Sequence, residues 1–223
     1  MNTYAAMLLW YDIVPEHAAE HDEWHTREHF PERVGIPGFL SATRWVAHAG
    51  TSPRYFVRYD VQDVATLTSP AYQARLDHPS EWTRRMMPHF RGMTRGFCEV
   101  QHRAGSSVGA EMLAIRFGAD PPRRDALIRW LVEDRLQQAS ARRGFADACL
   151  LAAKVQPPMT AEQAIRGRDA GVDCALLVSS YSGELVDALQ REDLAADLLA
   201  SRGAKGVVHG RYRFACRAHA ATA

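Results

Sequence analysis

Four histidines stand at positions 17, 21, 25 and 29, each four residues after the last, in the stretch from Pro15 to Pro31. On a helix, four-residue steps keep side chains near one face, drifting about 40° per step at 3.6 residues per turn. Glu28 falls on that face, near His21 and His25. No Val, Leu, Ile or Met occurs between the two prolines, so this helix lacks the apolar stripe by which helices usually dock. It offers imidazoles, a carboxylate and Trp24 instead. Imidazoles titrate near neutrality and move protons, and a carboxylate three residues on can orient a ring. His25 is therefore the expected general acid or base. Glu28 is its expected partner, His21 a further catalytic group, and His29 and Trp24 substrate contacts.

Two histidines at i and i+4 can also share an ion, as in HExxH helices. His21, His25, Glu28 and His29 would form that divalent-metal set. One straight helix rarely surrounds an ion, so a further ligand would have to come from His78, His89 or Asp12. The proton-transfer reading needs no cofactor.

The elements that position these residues come from a repeat. At an offset of 106, Pro15 falls on Pro121, Trp24 on Trp130, Gly38 on Gly144 and Phe39 on Phe145; upstream, Leu9 falls on Ile115 and Tyr11 on Phe117. Two copies of one unit are expected, 1–105 and 106–223. In the first, periodicity predicts strands over 5–14, 39–48, 55–61 and 92–102. Helices are predicted over 15–33 and 63–87, the second interrupted near His78-Pro79. In the second copy the strands are 111–118, 145–155, 172–181 and 206–216, and the helices 122–141 and 183–202. A loop with Pro157-Pro158 is expected over 156–171, and a frayed tail from Ala218 on.

The duplication also acts as an internal control. His21 corresponds to Leu127 and His25 to Leu131, on a helix whose apolar face is ordinary. Positions 21 and 25 are thus expected to point inward. Glu28, His29 and His17 correspond to Asp134, Arg135 and Arg123, so they are expected nearer the helix edges. The second copy has no such cluster and reads as scaffold.

The order β-α-β-β-α-β is that of a ferredoxin-like unit. The chain resembles the dimeric α/β-barrel superfamily in a tandem-duplicated, single-chain form. Trp24-His25-x-x-Glu28-His29, with Pro31-Glu32 and Pro37-Gly38-Phe39, is similar to the EthD-like branch. The resemblance implies an α+β fold in which two antiparallel sheets form an intramolecular barrel with helices outside. Because relatives of this barrel include heme-binding enzymes, it also adds heme as an alternative cofactor, with His89 and His209 as further places for an iron ligand.

Tyr11 and Asp12 end the first strand and are expected to line the site. Arg44, Arg58 and Arg95 lie within strands; those facing the pocket would bind a carboxylate or phenolate, and otherwise they would sit in edge salt bridges. A net charge of +1 gives no reason to expect nucleic acid or an anionic membrane surface. No apolar run is long enough to span a bilayer. Four widely spaced cysteines without a CxxC pair suit a reducing cytoplasm. The expected protein is a cytoplasmic monomer or homodimer acting on a small organic molecule, as a lyase, isomerase, cyclase or hydrolase. A metal- or heme-dependent oxygenase and a non-catalytic binding or stress-response protein remain the alternatives.

Overall fold

Eight strands with alternating side chains close into one barrel. They are β1 (Ala5–Ile13), β2 (Phe39–Ala47), β3 (Tyr55–Val61), β4 (Phe90–Gly105), β5 (Glu111–Ala119), β6 (Phe145–Val155), β7 (Cys174–Ser180) and β8 (Ala204–His219). The computed structural model describes residues 4–155, 161–167 and 169–221. Around the ring the order is β1-β3-β2-β8-β5-β7-β6-β4, and β4 pairs back onto β1, every neighbour antiparallel. Each half follows the β-α-β-β-α-β order expected from its periodicity.

The two 16-residue strands explain the closure. β4 pairs with β1 through residues 90–99 and with β6 through 97–105. β8 does the same in the other half, pairing with β5 through 204–213 and with β2 through 212–219. Each long strand therefore begins in its own sheet and ends in the other. The expected frayed tail is corrected here: His219 is opposite Ser41, so the strand is held to that residue. The proline-containing stretch 156–160 lies outside the described residues. After it come a helix, Ala161–Arg166, and a two-residue strand, Ala170–Gly171, parallel to β4.

Alternation sorts side chains into three cores. The barrel interior takes Leu8, Trp10, Trp45 and Phe56 from the first half and Met112, Cys149, Leu177 and Tyr212 from the second. On the outside of the first half, Met7, Tyr11, Val57 and Tyr59 meet the helices. A separate aliphatic core does the same in the second half. Among the described residues no helix is long and apolar enough to cross a membrane.

Helix α1 covers residues 15–34 over the first sheet. The predicted second helix is a 3-10 turn, Val64–Thr68, followed by α2 (Pro70–Asp77) and α3 (Glu81–Met86). The break falls at His78, as the following proline requires. In the second half, α4 covers residues 121–140. Each first helix returns to its sheet through Gly-Phe, and Gly38 has φ 91°. A Cβ on Gly38 would lie 2.6 Å from Thr66 Oγ1. Gly38→Ala is expected to cost about 2 kcal/mol from strain and clash together, a fall in Tm of roughly 4–8 °C by calorimetry.

Candidate active site

Helix α1 changes pitch in the middle of the histidine series. It begins as a 3-10 turn (Pro15–His17), becomes α-helical (Ala18–Trp24), makes one π-helical turn (His25–His29) and ends α-helical (Phe30–Val34). The Phe30 N–H bonds to the His25 carbonyl, a step of five residues. A four-residue step overshoots one turn of α-helix but undershoots a π turn. His29 is thus brought back beneath His25 instead of drifting to the edge. Ring centroids lie 5.0 Å apart for His21 and His25 and 5.5 Å apart for His25 and His29. His29 is buried, correcting its expected edge position. His17 remains at the rim, stacked on His89 with centroids 3.5 Å apart.

His21 is fully buried between two partners. Its Nδ1 is 3.1 Å from Asp22 Oδ1, and its Nε2 is 3.0 Å from the Tyr11 hydroxyl. A carboxylate only accepts, so Nδ1 carries the proton and Nε2 accepts from Tyr11 O–H. Burial lowers the His21 pKa from its ordinary value, against the opposing Asp22 hydrogen bond and charge, which keeps Nε2 a free base at neutral pH. Burial would raise Asp22, but the His21 hydrogen bond and the Arg44 charge outweigh it and hold the carboxylate below its usual range. Burial, then the neighbouring Tyr59, push the Tyr11 hydroxyl well above the ordinary tyrosine value. The result is a carboxylate–imidazole–phenol chain running from partly exposed Asp22 to a buried hydroxyl.

His25 is held differently. Arg44 reaches from β2 to α1 and puts Nη1 3.4 Å from His25 Nδ1 and 3.4 Å from Asp22 Oδ1. Arginine only donates, so His25 Nδ1 accepts and its Nε2–H faces the Tyr59 hydroxyl at 3.3 Å. Burial, then the His21, His29 and Arg44 charges, hold the His25 pKa well below its ordinary value. His25 is therefore a neutral hydrogen-bond donor to Tyr59, and His21 is the better placed base.

A cavity of about 30 Å³ lies between α1 and the sheet, lined by Tyr11, Trp24, His25, His29, Arg33, Tyr59 and Arg95 among others. That is room for one or two water molecules. Trp24 is anchored by an Nε1–H bond to Thr83. Two buried arginines reach the cavity: Arg33, 3.2 Å from Glu32, and Arg95, 2.9 Å from Asp169.

The other expected site residues fall elsewhere. Glu28 accepts a hydrogen bond from Ser80 at the start of α3, so it points along the helix flank and does not pair with His25. Asp12 is one residue past Tyr11 and projects to the other face of β1, where it accepts from the Arg54 backbone N–H at 2.6 Å. Arg58 alternates with Val57 and Tyr59 and so points into the barrel, paired with Asp60. Arg44 faces α1, as its strand phase demands, and touches His25 without lining the cavity. Among the described residues no three His, Cys, Asp or Glu are arranged to hold a metal ion. The stacked rings of α1 run along the helix and do not converge.

Asp22, Arg33 and Tyr59 belong to the candidate site and are missed by sequence reasoning, whereas Arg95 belongs to the strand arginines it singles out. The repeat carries the signal for two of the three: at offset 106, Asp22 corresponds to Ile128 and Arg33 to Ala139. Arg44 likewise corresponds to Leu150, Tyr11 to Phe117, His21 to Leu127 and His25 to Leu131. Phe117, Leu127, Leu131, Ala139 and Leu150 are buried in the second aliphatic core, and Ile128 packs against it. The π turn itself recurs there at Leu131–Arg135, so it belongs to the fold and not to the histidines.

No model of a protein family and no curated protein matches the sequence. Solved structures share the fold. An anthrone oxidase-like protein matches with a TM-score of 0.72 at 13% identity, over 100% of this chain and 95% of that one. A candidate monooxygenase from Fusobacterium nucleatum subsp. nucleatum matches with a TM-score of 0.66 at 6% identity, over 97% and 94%. A heme-binding protein from Thermus thermophilus matches with a TM-score of 0.52 at 8% identity, over 97% and 92%. The class is thus the ferredoxin-like α/β barrel, here closed within a single chain. Pockets for drug-sized ligands measure about 300–1,000 Å³. The roughly 30 Å³ between α1 and the sheet is smaller than either a porphyrin or an organic substrate, so each would have to displace lining side chains to enter.

Proposed function

We propose that this protein is a proton-transfer enzyme for a small, acidic organic molecule, with its site between α1 and the first sheet. The observation that carries this reading is the Asp22–His21–Tyr11 chain, set where the second half has Ile128, Leu127 and Phe117. In the proposed step a substrate C–H or O–H proton passes to Tyr11 Oη as the Tyr11 proton passes to His21 Nε2. The imidazolium formed is stabilised by Asp22. Because the Tyr11 hydroxyl is held far from ionisation, the two transfers are coupled and no standing phenolate is needed. The substrate anion left behind is held by Arg33 and Arg95, a carboxylate, phenolate or enolate being the matching chemistry. His25 donates through Tyr59 and keeps that hydroxyl oriented.

Substrate enters by displacing Met87 and Met93 from the cavity wall, since unbranched methionine side chains repack at small cost. The likeness to an anthrone oxidase-like protein and a candidate monooxygenase favours one elaboration, in which the substrate anion is the species that meets O2. The barrel closes within one chain, so no second copy is needed to complete it. The EthD-like motif and descent of the halves, 1–105 and 106–223, from one duplicated unit form part of the same reading. The recurrence of the π turn and the Gly-Phe return at offset 106 supports the duplication.

The test is solvent exchange. A panel of phenolic and enolisable small acids is incubated with the protein in D2O, and deuterium at the acidic carbon is read by mass spectrometry. Incorporation with the wild type that is lost in Tyr11→Phe and His21→Gln is expected. Equal incorporation in those variants would remove the relay assignment. Oxygen uptake measured alongside separates simple exchange from oxygenation.

A further inference from the structure

A second polar cluster lies inside the barrel, on the opposite face of the sheet from the histidines. Arg58 on β3 and Arg217 on β8 flank Thr43 of β2 in register. Arg103 ends β4, Asp60 ends β3, and Asp147 starts β6. Together they line a cavity of about 20 Å³, bordered by the exposed Ser107 and Val108 of the connector between β4 and β5.

The pairing in this cluster is uneven. Asp60 binds Arg58 with a contact of 2.6 Å, and Asp147 binds Arg103 at 2.8 Å. Both carboxylates are thereby engaged. Arg217 has one neutral acceptor, Ser41 Oγ at 3.0 Å, and lies 4.0 Å from Asp60. Its Nε is buried and has no acceptor among the described residues. Three guanidinium groups against two carboxylates leave one positive charge in excess. Burial lowers the Arg217 pKa; the Asp60 charge opposes this, and Arg58 and Arg103 add to it. Burial also raises Asp147, against its hydrogen bond from Arg103. Arg217 is half-buried and Arg103 is exposed, so water screens part of this excess; the unmet group is the buried Arg217 Nε–H, which an ion in the cavity would satisfy.

We propose that this cavity binds a small monovalent anion, which accepts from Arg217 Nε and ties the two halves of the barrel together. The space fits one water-sized particle, so a halide enters and a phosphate ester or an organic acid does not. The ion would bridge residues from β3, β4, β6 and β8, strands that belong to both halves. The inference is independent of the proton relay, which lies on the other side of the sheet.

Thermal unfolding at fixed ionic strength, with chloride exchanged for gluconate, tests it. Gluconate is too large for the cavity. Each tenfold increase in chloride above its Kd is expected to raise Tm by roughly 3–5 °C in the wild type. Arg217→Gln is expected to flatten that response. The same Tm in chloride and gluconate overturns the site, and so does an undiminished chloride response in the variant. Should Arg217→Gln fail to fold, crystals of the wild type grown in bromide decide. An anomalous peak within hydrogen-bonding reach of Arg217 Nε is expected, and its absence removes the proposal.

Discussion

His21→Leu is expected to destabilise the protein, whereas Tyr11→Phe combined with His21→Leu restores stability to the wild-type level or above. Leucine occupies the equivalent place in the second half, so shape alone predicts that it is tolerated. The hydrogen bond to Tyr11 reverses that for the single change. Removing the imidazole leaves the buried Tyr11 hydroxyl without its acceptor, which costs about 1–3 kcal/mol. Replacing both partners rebuilds the Phe117–Leu127 pairing of the second half, and exchanging a buried polar pair for apolar groups of like volume is neutral or stabilising. Urea titrations of the single and double variants measure both. A double variant as unstable as His21→Leu would mean that the histidine is needed for packing and not for its proton.

The same pair of variants carries a pH signature. His21 and His25 have folded-state pKa values depressed below their ordinary 6.5 by burial. Below pH 6.5 the unfolded chain takes up these protons while the folded one does not. Stability is therefore full above that pH and lost as pH falls from 6.5 toward the folded values. Each histidine adds a slope of about 1.4 kcal/mol per pH unit in that window. Tyr11→Phe/His21→Leu is expected to lose about half of the combined slope.

What the sequence revealed about this site depended on which physical rule governed each residue. Strand alternation and the offset-106 repeat located the strands, both helix-to-sheet returns, and the inward histidines at 21 and 25. Helical phase misled at position 28 and the repeat at position 29, because a π turn that no residue type announces rotates the side chains within and beyond it. Glu28 consequently meets Ser80, and His29 meets the cavity. Strand phase separates Arg44 from Arg58 once the register with Tyr11 is known, since one faces α1 and the other the barrel. Asp22 stayed hidden because neighbours at i and i+1 seldom share a helix face. Its bond to His21 arises from the side chains bending toward each other. Yet the repeat marked it as plainly as the histidines, as a carboxylate standing where its sister helix has Ile128.

Turnover of any substrate found by the exchange assay is expected to fall by roughly 10²–10⁴-fold in His21→Gln and in Tyr11→Phe, with KM little changed. These residues act on the proton in flight and contribute little to ground-state binding. Arg33→Met and Arg95→Met are expected to raise KM instead, because they hold the anion. The pH dependence is more discriminating. The rate needs a neutral His21, so it stays level as pH drops past 6.5 and declines only at the lower, folded-state value. Asp22 raises that value through its hydrogen bond and charge, so Asp22→Asn is expected to slow turnover and also to move the acid limb to lower pH. A residue that merely stabilised the helix would leave the limb in place. Single-turnover rates across pH for the wild type and Asp22→Asn measure the displacement. A limb that moves upward or not at all would contradict the carboxylate–imidazole–phenol chain while leaving the fold and the cavity intact.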